Sequence, residues 1–399
     1  MSKQIQGKYF GTGGPLFRLY MVTALLTLVT LGIYRFWAKT RLRTYVWSAA
    51  SADDDSFEYT GTGLEKFLGF LVAIVILALY LGLVQILLTF VGLSIVPDSD
   101  SPAAFAAQSV AINLSVLSIV PLMLFAQYRA RRYKLARTRW RGIRFGMDKG
   151  AWGYAFRAMG YYLLTIITVG MLAPLGTYRL EKYMADRTWF GDAPFEQHGR
   201  WQALYAGMKH VFISLGLFVV AIGAFVFGAS TDQAGFAVLG GILAVVGYIW
   251  FLVGLLSYRV FAFNYLTGQK VLDGQIRFRA QLRTPTLVGI FLIGSVVIGL
   301  VMGAVFGVIG GLFAASGEAI MTGTASPLLF VAIALLYGGA FLVAGALSMI
   351  LITQPVIEHA VENVTVFEAE HLDAIRQRAA DTGADAEGFA DALDVGGAL

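Results

Sequence analysis

The side chains of this chain best suited to binding are cations crowded between residues 129 and 144. Arg129, Arg131, Arg132, Lys134, Arg137, Arg139, Arg141 and Arg144 are interleaved there with Tyr133 and Trp140. Cations mixed with aromatic rings can hold nucleic acid. Set directly under an apolar helix, they instead fix membrane orientation or meet anionic lipid head groups, at about 1 kcal/mol per cation near the surface. Arg131, Arg132, Lys134 and Arg137 are the candidate lipid contacts; membrane lipids with anionic heads are the expected partners, and no nucleic acid is expected. Arg18 and Arg157 form a second pair, each near the start of an apolar run. A charge at that depth either contacts an anion or lipid phosphate, or snorkels to the interface.

Catalysis is poorly provided for. His198, His210, His359 and His371 lack metal-ligand spacing, and neither HExxH, a P-loop, GxSxG nor a kinase motif occurs. With no cysteine, disulfides and thiol chemistry are excluded. No Asp or Glu falls inside an apolar run, which counts against a proton-coupled carrier. No catalytic residue, cofactor or metal is expected, and the chain does not read as an enzyme.

The elements that would carry these residues are membrane helices. A mean hydropathy of +0.70, with 57% hydrophobic and 14% charged residues, describes a polytopic membrane protein. Apolar runs cover 15–36, 67–96, 105–125, 156–177, 211–227, 236–256, 287–313 and 328–352. Cytoplasmic loops are enriched in Lys and Arg. Loops 97–104, 228–235 and 314–327 have neither, whereas segments 35–66, 126–157, 178–210 and 257–286 carry 5, 10, 5 and 5. If all eight runs crossed, the basic loops 126–157 and 178–210 would lie on opposite sides. The expected fold is therefore all-α, with six transmembrane helices, two re-entrant or interfacial segments (15–36 and 156–177), and both termini cytoplasmic. Eight transmembrane helices are the alternative.

Tyr-Arg occurs four times, at Tyr34-Arg35, Tyr128-Arg129, Tyr178-Arg179 and Tyr258-Arg259, each closing an apolar run. A ring at the membrane–water boundary followed by an Arg in the head-group layer would anchor a repeated unit. The expected organisation is a first repeat over 1–150, a second over 151–286, a third helical hairpin with a cytoplasmic segment over 287–379, and a disordered acidic tail over 380–399. After each Tyr-Arg, β-formers flank turn residues, as in Val271-Leu272, Asp273-Gly274 and Ile276-Arg277-Phe278. Small cytoplasmic β-hairpins, or ordinary connecting loops, are expected there, and Val364–Phe367 is a further strand candidate. The glycines at 299, 303 and 307 form a stripe suited to close helix packing.

Thr30-Leu31-Gly32-Ile33-Tyr34-Arg35-Phe36-Trp37-Ala38-Lys39-Thr40-Arg41, followed by Phe57-Glu58-Tyr59-Thr60-Gly61-Thr62-Gly63, resembles the YjgN-like family of bacterial inner-membrane proteins of unknown function. The resemblance is specific over roughly residues 8–75, looser through 128–205 and faint beyond about 260. It implies a multi-pass inner-membrane protein and brings no activity or site residue. Two functions stay open: transport or permeation of a small or amphipathic molecule, and a non-transporting envelope scaffold acting through lipid or protein contacts.

Overall fold

The computed structural model describes residues 3–96, 101–324 and 326–379; the acidic tail 380–399 lies outside them. One motif, strand–helix–helix–strand, is laid down five times. The first unit is β1 (Ile5–Tyr9), α1 (Gly13–Val29), α2 (Arg35–Ala49) and β2 (Ala50–Ala52). The second is β3 (Asp55–Tyr59), α3 (Gly63–Phe90), α4 (Pro102–Ala136) and β4 (Thr138–Trp140). The third is β5 (Ile143–Met147), α5 (Ala151–Ile167), α6 (Ala173–Ala185) and β6 (Thr188–Phe190). In the fourth, β7 (Ala193–Gln197) leads through a 3-10 stretch (Trp201–Met208) into α7 (Lys209–Ser230), α8 (Ala234–Gly268) and β8 (Lys270–Leu272). The fifth is β9 (Ile276–Ala280), α9 (Thr284–Ala315), the short α10 (Gly317–Met321), α11 (Pro327–Ser348), a π-turn (Met349–Thr353), α12 (Gln354–Glu362) and β10 (Val364–Phe367). Pro355 has no N–H to return to the preceding turn, and the helix widens into the π-turn just before it.

The strands close into one ten-stranded antiparallel barrel among the described residues, in the order β1-β10-β9-β8-β7-β6-β5-β4-β3-β2. This corrects the expected all-α fold with small separate hairpins. A lone two-stranded hairpin leaves both edges unpaired and is marginal in water, whereas closure removes every edge. Tight turns at Asp53-Asp54, Arg141-Gly142, Gly191-Asp192 and Asp273-Gly274 join successive units. The fifth join is not covalent: Ile5 pairs with Val366 and Gln6 with Thr365, so β1 completes the ring that β10 ends.

Side-chain alternation fills the barrel. The middle residues of β3, β5, β7 and β9 are Phe57, Phe145, Phe195 and Phe278, and all four pack on the barrel core. Trp140, Phe190, Leu272 and Val366 enter from the short strands, with Phe145 and Phe190 ring centroids 4.5 Å apart. A cavity of about 90 Å³ remains. In β1 the middle residue is Gly7, because a Cβ there would collide with the Val361 carbonyl oxygen of α12.

The far end is stoppered by the segment after β10. Ala369, Leu372 and Ile375 seat in the barrel core, and charges hold them there. Arg141 bridges Asp53, Asp55 (2.7 Å) and Asp373 (3.2 Å), while Asp192 accepts from the Arg376 N–H at 2.9 Å.

Six helical stretches are long and apolar enough to cross a membrane among the described residues: 63–90, 102–136, 201–230, 234–268, 284–315 and 327–362. The eight-helix alternative fails because a turn ends the helix of each remaining run after 17 residues. Thr30-Leu31-Gly32 and Thr168-Val169-Gly170 take the same turn, with Leu31, Gly32, Val169 and Gly170 all at positive φ. Gly32 N–H donates to Thr27 O and Gly170 N–H to Thr165 O, both at 2.7 Å, which ends a helix in a left-handed cap. Each run thus supplies the first helix and the tip of a hairpin whose helices are 13–17 residues long, the tip carrying apolar side chains such as Leu31, 94% exposed.

Close glycine packing lies elsewhere than expected. Space around Gly299, Gly303 and Gly307 is open. Instead α7 and α8 zip together at seven-residue spacing, through Ser214, Ala221 and Gly228 facing Gly240, Gly247 and Gly254. A Cβ on Gly240 would sit 2.7 Å from the Ala221 carbonyl oxygen.

Candidate functional site

Helices α2, α4, α8 and α12 all run down into short strands, so their last turns converge where the barrel opens toward the membrane helices. They line an open-sided chamber of about 710 Å³. Its floor is Phe57 and Phe145, which continue into the barrel core. Trp47 of α2, Leu135 of α4, Phe263 of α8 and Ile357 and Val361 of α12 make apolar walls. Trp47 is fixed by its indole N–H, which donates to Thr138 Oγ1 at 2.9 Å. The α4 wall also carries two cations, Arg131 and Lys134.

Arg131 belongs to a clasp across three units. Its guanidinium forks onto Glu181 of α6 at 3.1 and 3.2 Å, and Lys270 of β8 reaches the same carboxylate at 2.9 Å. Burial works to raise the Glu181 carboxyl pKa. The adjacent Arg131 and Lys270 charges outweigh it and hold it at about 2. The carboxylate therefore stays ionised at neutral pH, and the clasp joins two cations to one carboxylate.

The other sequence-selected residues are scattered around this centre. Arg132 is buried and gives its Nε–H to Met147 O at 2.7 Å; Arg137 pairs with Glu65 at 3.1 Å. Of the four candidate lipid contacts, only Arg131 and Lys134 line the chamber. Arg18 is exposed on α1; Arg157, exposed on α5, donates to Gly153 O and lies 4.8 Å from the Tyr183 ring centroid. Neither is among the residues lining the chamber.

The Tyr-Arg pairs divide their labour differently from interfacial anchors. Tyr128 and Tyr178 are buried, donating to Asp148 O (2.7 Å) and Gly199 O (2.9 Å) in the loop that opens the next unit; Tyr258 donates to Thr177 Oγ1 at 2.9 Å. Tyr34 caps the start of α2 and stacks on Trp37. Arg35, Arg179 and Arg259 point outward, and Arg129 lies against the Phe125 ring. Tyr128, Tyr178 and Tyr258 staple neighbouring units together.

Glu181 and Phe263 were not singled out from sequence. Glu181 carries a weak signal, as the one acid of α6, while Phe263 carries none inside an aromatic-rich helix.

Fold and chamber together define a polytopic membrane protein standing on a plugged β-barrel. The chain belongs to DUF898, whose description is bacterial protein of unknown function; the family model matches residues 4–392. It is 23% identical over 348 residues to the inner membrane protein YjgN of Salmonella typhimurium, covering 75% of this chain and 83% of that protein. The YjgN of Escherichia coli O157:H7 is 26% identical over 166 residues, 41% of this chain and 35% of that protein. The YjgN-like resemblance read from residues 30–63 therefore holds. No solved structure matches.

Proposed function

We propose that this protein binds an amphipathic anion, an acyl chain bearing a carboxylate or phosphate, in the chamber and carries it between the membrane and the barrel face. The role is binding and passage, without covalent chemistry. One observation carries the reading: two cations on one wall of an otherwise apolar chamber, at the junction of membrane helices and barrel. Its volume falls in the range of about 300–1,000 Å³ typical of small-molecule sites. Burying a chain against Phe263 and Leu135 is worth about 25 cal/mol per Å², and the cations favour a charged head.

Filling the chamber tests this. Phe263→Trp should weaken binding of a fluorescent long-chain fatty acid by about tenfold, some 1.4 kcal/mol, in purified protein. No saturable binding in the wild type, or equal binding in both, would sink the proposal. A scaffold role is the second reading, favoured by the filled and stoppered barrel, which in this conformation leaves only about 90 Å³ inside.

The barrel and both termini are proposed to face the cytoplasm, since all 30 Lys and Arg fall in segments on the barrel side of the helices or at their ends. The chain has no cysteine, so a single Asp273→Cys in the exposed β8–β9 turn reports its side. An impermeant maleimide should label it only after the inner membrane is opened. Labelling with that membrane intact would reverse the orientation.

A further inference from the structure

On another face of α8 lies a second cavity, of about 690 Å³, which shares no lining residue with the chamber. Val253, Ser257, Val260 and Asn264 line it as one helical stripe. Lys209 and His210 at the start of α7 stand on one side, and Thr284, Pro285 and Val288 at the start of α9 on the other. At the barrel end Asn264 ties α8 to the segment before α9. Its Nδ2–H donates to Leu282 O and its Oδ1 accepts the Leu282 N–H, both at 2.9 Å. Farther out α9 leans on a different partner, since a Cβ on Gly294 would meet Ile352 of the π-turn. A cleft is thereby left between α8 and α9.

The cleft is graded along the helices. α8 runs toward the barrel, so Val253 lies roughly 16 Å farther out than Asn264 at 1.5 Å per residue. Val253 and Val288 make the outer end apolar, whereas Asn264 and Thr284 stand at the barrel end. Between them the His210 ring meets Trp250 edge-on at 5.7 Å, and Trp250 is a ring suited to the membrane–water boundary. The charge is one-sided. Lys209 lines the cavity, and no Asp or Glu does. Lys209 and the hydroxyls of Ser257 and Thr284 make no hydrogen bond or ion pair among the described residues. His210 Nδ1 is buried, also without a hydrogen-bond partner among them, and such an atom calls for a ligand or a water. α9 begins beside these groups with no side-chain cap, and the positive end of its dipole favours an anion.

We infer that this cleft holds one phospholipid with a net negative head group, of the phosphatidylglycerol kind. Lys209 pairs with its phosphodiester. Ser257 and Thr284 donate to head-group oxygens, and an acyl chain follows Val253 and Val288 out into the bilayer. A phosphodiester without an amine matches a lining that offers a cation and no carboxylate. The lipid fills the space between α8 and α9, joining the fourth and fifth units beyond the Asn264–Leu282 pair. The inference stands apart from the proposed chamber function and does not rest on it.

The test is native mass spectrometry of the full-length protein in detergent, titrated with phosphatidylglycerol or phosphatidylcholine, with the unfolding midpoint measured alongside. The wild type should retain one phosphatidylglycerol at about a tenth of the lipid concentration that phosphatidylcholine needs, and its midpoint should rise with the bound lipid. Lys209→Gln, at an exposed position, and Ala206→Trp, which fills the cavity, should each weaken that retention about tenfold and remove the rise. Lys209→Arg should keep both, and midpoints without lipid report whether each variant folds. Equal retention of the two lipids by the wild type would overturn the inference, as would undiminished phosphatidylglycerol retention in either folded variant. Displacement of the lipid by inorganic phosphate would assign the site to a free anion and overturn the phospholipid. Phe263→Trp, in the chamber, should leave phosphatidylglycerol retention unchanged; its loss there would move the lipid to the chamber and overturn the separate site.

Discussion

Gly7→Val should unseal the barrel. The glycine sits in the middle of β1 directly under α12, and any Cβ there meets the Val361 carbonyl oxygen, a backbone atom that no rotamer change can move aside. Overpacking of a filled core costs about 1–3 kcal/mol where side chains can yield, and sometimes more. Here relief requires β1 to leave β10, opening the noncovalent join. We expect a loss of about 3 kcal/mol or more, read as a drop of several degrees in the unfolding midpoint of detergent-solubilised protein. Amide exchange should rise in residues 3–9 and 364–367 and much less in the membrane helices. Gly299→Val is the matched control, since the space around Gly299 is open. Equal midpoints for Gly7→Val and wild type would mean that this contact does not set the closure.

Glu181→Gln should have the second-largest effect. It leaves the Arg131 and Lys270 charges facing one another without the carboxylate that joins them. Breaking a buried pair costs about 3–5 kcal/mol and an exposed one under 1. Glu181 is 20% exposed, and we expect about 2 kcal/mol between these limits. The pH dependence has a definite sign. The folded pKa of about 2 lies below the unfolded value, so the stabilisation is complete above roughly pH 4.5 and fades as pH falls toward 2. The stability difference between wild type and Glu181→Gln should accordingly shrink over that window. A difference independent of pH from 6 to 2 would show that the carboxylate charge is not what the clasp uses.

Much of the local structure is written in short-range pattern. Asp273-Gly274 favours a tight turn whatever surrounds it, so the β8–β9 pair was legible. Closure was not. Ile5–Tyr9 is short, polar at two positions and interrupted by Gly7, and that glycine is imposed by Val361 near the other end of the sequence. Tyr128 and Tyr178 carry the composition of interfacial rings, but only the folded chain shows carbonyls of the next unit waiting for their hydroxyls. The glycines of α9 and of α8 look alike in sequence; the partner helix α7, with Ser214, Ala221 and Gly228 in step, separates a packed stripe from an open one. The chamber had no linear trace at all. Its walls are the ends of four helices from four units, and nothing in the linear sequence pairs Arg131 with Glu181, 50 residues further on.

The noncovalent join between β1 and β10 also dictates an order of biogenesis. Of the ten described strands, β1 leaves the ribosome first and its partner β10 last. A nascent chain that has not yet reached Val364 therefore carries two open strand edges, on β1 and on β9, however many membrane helices it has already inserted. Membrane integration must come first and barrel closure last. Through the whole of translation the first strand stays an unpaired edge that must be kept from pairing elsewhere.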